Sequence, residues 1–132
     1  MIKVEALLMK GEFKEALAEI DEARKLMPEE PFALLDARAY ALARMGNETE
    51  ARQILERYNQ QLKEGKAAEF PMAVVYIGLK QYDLALDQLE KLSATGDLEL
   101  EISVEPILHE LRELPRFQNL IERARVKSEA KA

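Results

Sequence analysis

The single histidine, His109, stands beside Glu110, so an imidazole and a carboxylate adjoin there. Such a pair could move a proton. Yet no serine, threonine or cysteine can be placed with a base and an orienting acid in the manner of a nucleophilic triad. His109 is therefore expected on a surface or cap. Close carboxylates, Asp21 with Glu22 and Glu99 near Glu101, could hold a metal, but they lack calcium-loop spacing and a histidine co-ligand. The five glycines are single and separated, which gives no phosphate-cradling loop. Without cysteine there is no disulfide, thiolate nucleophile or cysteine-held zinc. The expectation is no enzyme, no cofactor and no metal.

Residues of this kind need elements to position them, and composition says what those are. The 132 residues suffice for one domain with its own core, and 48% apolar with 33% charged residues suits a strongly helical chain. A net charge of −6 argues against nucleic acid, whose phosphates must be neutralised by Lys and Arg. The mildly basic end, with Arg112, Arg116, Arg123, Arg125, Lys127 and Lys131, is interleaved with Glu110, Glu113, Glu122 and Glu129. That pattern predicts a solvated helix with i,i+4 pairs. No stretch approaches the roughly 20 apolar residues that cross a bilayer, and the N-terminus lacks a basic-then-apolar signal. A cytoplasmic chain without membrane insertion is expected, or a periplasmic one if it is cut from a longer protein.

Three segments align: Gly11-Glu12-Phe13-Lys14-Glu15-Ala16-Leu17, Gly46-Asn47-Glu48-Thr49-Glu50-Ala51-Arg52 and Lys80-Gln81-Tyr82-Asp83-Leu84-Ala85-Leu86. Ala16 and Ala51 are 35 residues apart, and Ala51 and Ala85 are 34. A period of that length marks stacked helical hairpins, each too small to bury its own apolar face. Helical spacing and breakers predict helices over 2–9, 12–27, 31–45, 47–63, 70–80 and 82–94. Beyond Gly96 the period is lost. Residues 97–102 are read as turn or helix, followed by a short helix after Pro106, a final amphipathic helix from Pro115, and a frayed end over 127–132.

These residues resemble the tetratricopeptide repeat family, whose helix pairs carry small residues where they cross. Ala16 and Ala23 fill the small positions of the first repeat, with Ile20 as the large one and Pro28 at the turn. Ala39 and Ala51 face each other in the second, with Leu55 and Tyr58, and Ala73 and Ala85 in the third, with Tyr76, Tyr82, Leu89 and Leu92. A methyl group at a crossing permits close approach, whereas a larger side chain there costs about 1–3 kcal/mol. Some features depart from the pattern. The first-helix tryptophan is absent, Glu48 replaces an aromatic residue, and the second and third repeats lack a closing proline. Met1 falls several residues into the first helix, so the chain is expected to be cut from a longer protein. Residues 70–79 and 106–121 are similar to the ending of tetratricopeptide domains in bacterial signalling and transcription-regulatory proteins. That likeness implies a cap in which Phe117, Leu120 and Ile121 cover the end of the stack.

The resemblance thus implies an all-α, right-handed α-solenoid with repeats over 1–29, 31–65 and 66–96 and a cap over 97–126. Its concave wall would carry Glu5, Leu8 and Met9, then Asp36, Tyr40, Ala43 and Arg44, then Phe70, Val74, Ile77 and Gly78. On one reading this wall is a groove for a protein or peptide partner, with Tyr40 and Arg44 as exposed anchors. On the other, C-terminal helices fold back and make residues such as Val74 and Ile77 core. Asp36 and Tyr40 stand where relatives clamp a terminal carboxylate, so chaperone-tail recognition is not expected. The leading function is a non-enzymatic interaction scaffold, the C-terminal sensory or docking domain of a bacterial regulator. The alternatives are a self-associating, homo-oligomeric solenoid and a secretion-type chaperone.

Overall fold

Three times the chain reverses between helices in three residues, and each time the backbone does it the same way. After α1 (Ile2–Met9), Gly11 N–H donates to Leu8 O at 3.1 Å and Glu12 N–H to Leu7 O at 2.9 Å. After α3 (Leu35–Arg44), Gly46 N–H donates to Ala43 O at 3.1 Å and Asn47 N–H to Leu42 O at 2.8 Å. After α5 (Glu69–Gly78), Lys80 N–H donates to Ile77 O and Gln81 N–H to Tyr76 O, both at 2.9 Å. Such closures need a left-handed residue, and φ is 78° at Gly11, 90° at Gly46 and 60° at Lys80. Glycine takes that conformation without strain. Lysine does not.

The computed structural model describes residues 2–95 and 105–131. The remaining described elements are α2 (Phe13–Lys25), α4 (Glu48–Lys63), α6 (Tyr82–Thr95), a 3₁₀ turn (Pro106–Leu111) and α7 (Pro115–Lys131), so the described chain is all-α. Successive helices pack on one another from α1 to α6, α3 also packs on α5, the 3₁₀ turn sits against α1 and α5, and α7 lies on α6. The segment 97–102 read as turn or helix lies outside the described residues. No helix among the described residues is long and apolar enough to cross a membrane.

Helices α3 and α5 are central because both bury opposite faces. Tyr40 and Ala41 of α3 join Ala73, Val74 and Ile77 of α5 in one cluster, which also takes Leu108 and Leu111 of the 3₁₀ turn and Phe117 and Leu120 of α7. Leu35, Ala39 and Leu42 join Met72, Val75 and Leu79 in a second, shared with Ala51, Ile54 and Tyr58 of α4. Beyond Glu69, α5 is apolar almost all round, which fits such a place, whereas α3 also carries Asp36, Arg38 and Arg44. Ala39 and Ala51 belong to the second cluster and Ala73 and Ala85 to the first, each fully buried, while Ala23 is only partly buried.

Two helix boundaries differ from expectation. Helix α3 begins at Leu35 rather than 31, because Phe32 and Ala33 are taken up in turns and Leu34 is left-handed at φ 55°. No serine, threonine, aspartate or asparagine lies over 31–34 to cap an earlier start. Helix α7 runs to Lys131 rather than fraying from 127. Lys127 Nζ donates to Ser93 O at 2.9 Å, and Arg125 pairs with Glu129 at 2.5 Å, which holds the last turns.

Helices α3 and α5 approach closely at Gly78, where an added Cβ would lie 2.7 Å from Tyr40 Cα. Gly78→Ala should therefore destabilise the fold by about 1–3 kcal/mol by pushing α5 from α3. Lys80→Gly should stabilise it by about 1 kcal/mol by relieving the left-handed strain. Urea unfolding of the two variants checks both signs. Equal stability of all three proteins would show that neither backbone feature constrains the fold.

Candidate functional site

Arg44 ends α3 facing the C-terminus of α5, whose last carbonyls have no further helical turn to bond them, Ile77 O accepting from Lys80 N–H in the turn. Its Nε donates to Gly78 O at 2.9 Å and its Nη2 to Ile77 O at 2.8 Å. A cation at a helix C-terminus also opposes the helix dipole favourably. The guanidinium lies 4.6 Å from the centroid of the Tyr40 ring, one turn back on α3. On its other side Nη2 reaches Glu110 Oε2 of the 3₁₀ turn at 2.5 Å.

Glu110 is the point on which these groups converge. The Tyr82 hydroxyl donates to its Oε2 at 2.7 Å, and the Tyr40 hydroxyl donates to its Oε1. Burial on its own would raise the Glu110 carboxyl, but hydrogen bonds from Arg44, Tyr40 and Tyr82 outweigh it and hold the group below the usual carboxylate range. Burial and the bond to Glu110 push the Tyr40 hydroxyl well above the ordinary phenol range, so it remains a donor.

This arrangement corrects the expectation that Tyr40 and Arg44 stand exposed. Tyr40 is 2% exposed and the Arg44 side chain 14%, because the 3₁₀ turn lays Glu110 across them. It also corrects Glu110 as a member of a solvated helix. Val74 and Ile77 are core residues, covered in the manner of the self-covering reading. Met9 is exposed, and His109 is exposed beside the site without joining it.

Part of the remaining wall, without Met9, Ala43 and Gly78, borders a cleft of about 140 Å³ between α1, the start of α3, α5 and the 3₁₀ turn. Glu5, Leu8, Asp36, Phe70 and Val74 line it, so these wall positions do come together. Leu34, in its left-handed conformation, also lines it, as do Glu105 and Ile107. Burial raises the Asp36 carboxyl above its ordinary value, against the opposing hydrogen bonds from the backbone N–H groups of Ala37 and Asp36. Neither Glu105 nor Glu110 was visible as a wall residue in the sequence. Both follow the end of the period, where spacing no longer assigns a face.

Among the described residues no group of three or more histidine, cysteine, aspartate or glutamate side chains is placed to hold a metal ion. No family model, curated protein or solved structure matches the chain.

Glu110→Gln should cost about 1.5–3 kcal/mol of stability at neutral pH, since it leaves Arg44 without its anion. The folded Glu110 pKa is depressed, so its contribution is full above the unfolded carboxylate pKa and fades as pH falls through the folded value. Unfolding measured from pH 7 to pH 3 should show wild type and variant converging toward acid. A constant difference across that range would contradict the assigned charge pair.

Proposed function

We propose that this chain is a non-enzymatic protein-interaction scaffold, a tetratricopeptide-like α-solenoid of about three hairpins and a cap, that takes a partner peptide or helix along the wall of α1, α3 and α5. The observation that carries the reading is the cleft where α1, α3 and α5 meet the 3₁₀ turn, lined on several sides by wall residues. The recurrent left-handed turns after α1, α3 and α5, and the packing of each helix on the next, support the hairpin arrangement. A role as the docking part of a bacterial regulator rests on the likeness of residues 70–79 and 106–121 alone.

The docking region is narrower than the whole wall. Tyr40 and Arg44 hold the chain's own Glu110, and opening that region would expose Leu108 and Leu111, each worth about 1.5–3 kcal/mol when buried. A partner meets less resistance at the cleft beside it.

A photo-activatable phenylalanine analogue placed at Glu5 tests this against one at Leu26, which is 84% exposed in the turn after α2. In lysate of the source organism, discrete crosslinked products from position 5 and none from position 26 are expected. Products from position 26 alone would place the interaction on another face. A product of twice the chain mass, growing with protein concentration, would favour the self-associating reading.

A further inference from the structure

Pro31 is suited to open a helix, since its ring fixes a helical φ and a first turn leaves that N–H unpaired anyway. No glycine lies over 31–44, and helical spacing runs through the segment. Yet α3 starts only at Leu35, because Leu34 stands at φ 55° and ψ 16°. In that region the Cβ of an L-residue crowds the following carbonyl oxygen, so glycine or asparagine enters it more readily than leucine. Local sequence and observed backbone therefore disagree over one turn, a conflict typical of strained or functional segments.

Contacts from outside the turn hold it in this state. Arg24 of α2 donates from Nη2 to Pro31 O at 2.9 Å, and that carbonyl is the one to which Leu35 N–H would donate in a longer helix. Leu35 N–H goes instead to Phe32 O at 3.2 Å, and Ala37 N–H to the Asp36 carboxylate at 2.9 Å. The Phe32 ring centroid lies 5.5 Å from that of Tyr58, and Arg57 Cζ sits 5.0 Å from it. In a wound turn Leu35 N–H would reach Pro31 O and Ala37 N–H would reach Ala33 O, so these donors have acceptors in both states. Two features weigh against the observed state. Leu34 keeps its left-handed backbone, and Nε of Arg24 is buried with no acceptor among the described residues.

We propose that residues 31–34 are a two-state hinge, in which the start of α3 winds by one further turn when Arg24 releases the Pro31 carbonyl. Winding takes Leu34 from the left-handed to the right-handed helical region. That rotation swings residues 31–33 about the body of α3 and draws Phe32 out of its place beside Tyr58. Leu34 also lines the cleft beside α1, so the two states give that part of the wall different shapes. The hinge is independent of the docking reading, because it stands on the backbone and its latch.

Chemical-exchange saturation transfer on the labelled whole chain, followed at Phe32, Ala33, Leu34 and Leu35, reads a minor state and its backbone conformation. Arg24→Met keeps the apolar stem and removes the latch bond. It should raise the minor state about threefold or more over wild type, with the carbon shifts of residues 32–34 moving to helical values. Leu34→Gly relieves the observed conformation and should lower the minor state below its wild-type level. No exchange over residues 32–35 in Arg24→Met overturns the hinge, and so does a minor state with coil shifts, which is fraying. If Arg24→Met is unfolded by circular dichroism, wild type and Leu34→Gly decide. A wild type without a minor state, or one that Leu34→Gly leaves unchanged, then overturns the hinge. Each of these failures leaves the docking reading intact, which crosslinking from position 5 tests separately.

Discussion

Arg44 and Glu110 join parts of the chain that sequence order separates. One guanidinium ties the end of α3, the last carbonyls of α5 and the 3₁₀ turn, and one carboxylate gathers that guanidinium with the hydroxyls of Tyr40 and Tyr82. Magnitudes divide the work. Removing one member of a buried pair is costly because the other is left desolvated, whereas the pair as a whole contributes modestly. The free energy that holds the turn comes from Leu108 and Leu111, both fully buried. The polar cluster decides where the turn sits. Apolar burial keeps it there.

That placement divides the wall into a closed part and an open one. Over Tyr40, Arg44 and Ile77 the chain covers itself, and α3 approaches α5 so closely that Gly78 leaves no room for a methyl group. Toward α1, residues of α1, α3, α5 and the 3₁₀ turn leave a cleft of about 140 Å³.

Much of the architecture was legible because periodicity and breakers are local signals. The turns at Gly11 and Gly46, the alanines at the helix crossings and the start of α7 at Pro115 all follow from spacing and backbone chemistry. Lys80 was legible only through alignment with those glycines, since its own residue type argues against a left-handed turn. The start of α3 was misplaced because Pro31 suggests a first turn that Leu34 interrupts. The polar cluster was hidden for a different reason. Glu110 has the same spacing to nearby arginines as a surface residue, and only the fold-back of the tail brings it to Arg44, 66 positions earlier. Long-range pairing of that kind leaves no local signature.

The most direct test of this account is native-state hydrogen exchange in the 3₁₀ turn. The amides of Leu108 and Leu114, which donate to Glu105 O and Leu111 O, should open with the same free energy as that of Leu79 at the end of α5. That result would make the turn an integral part of the packed wall. Exchange of the turn through a separate opening, several kcal/mol easier than that of Leu79, would contradict it and make the turn a detachable cover over Tyr40 and Arg44.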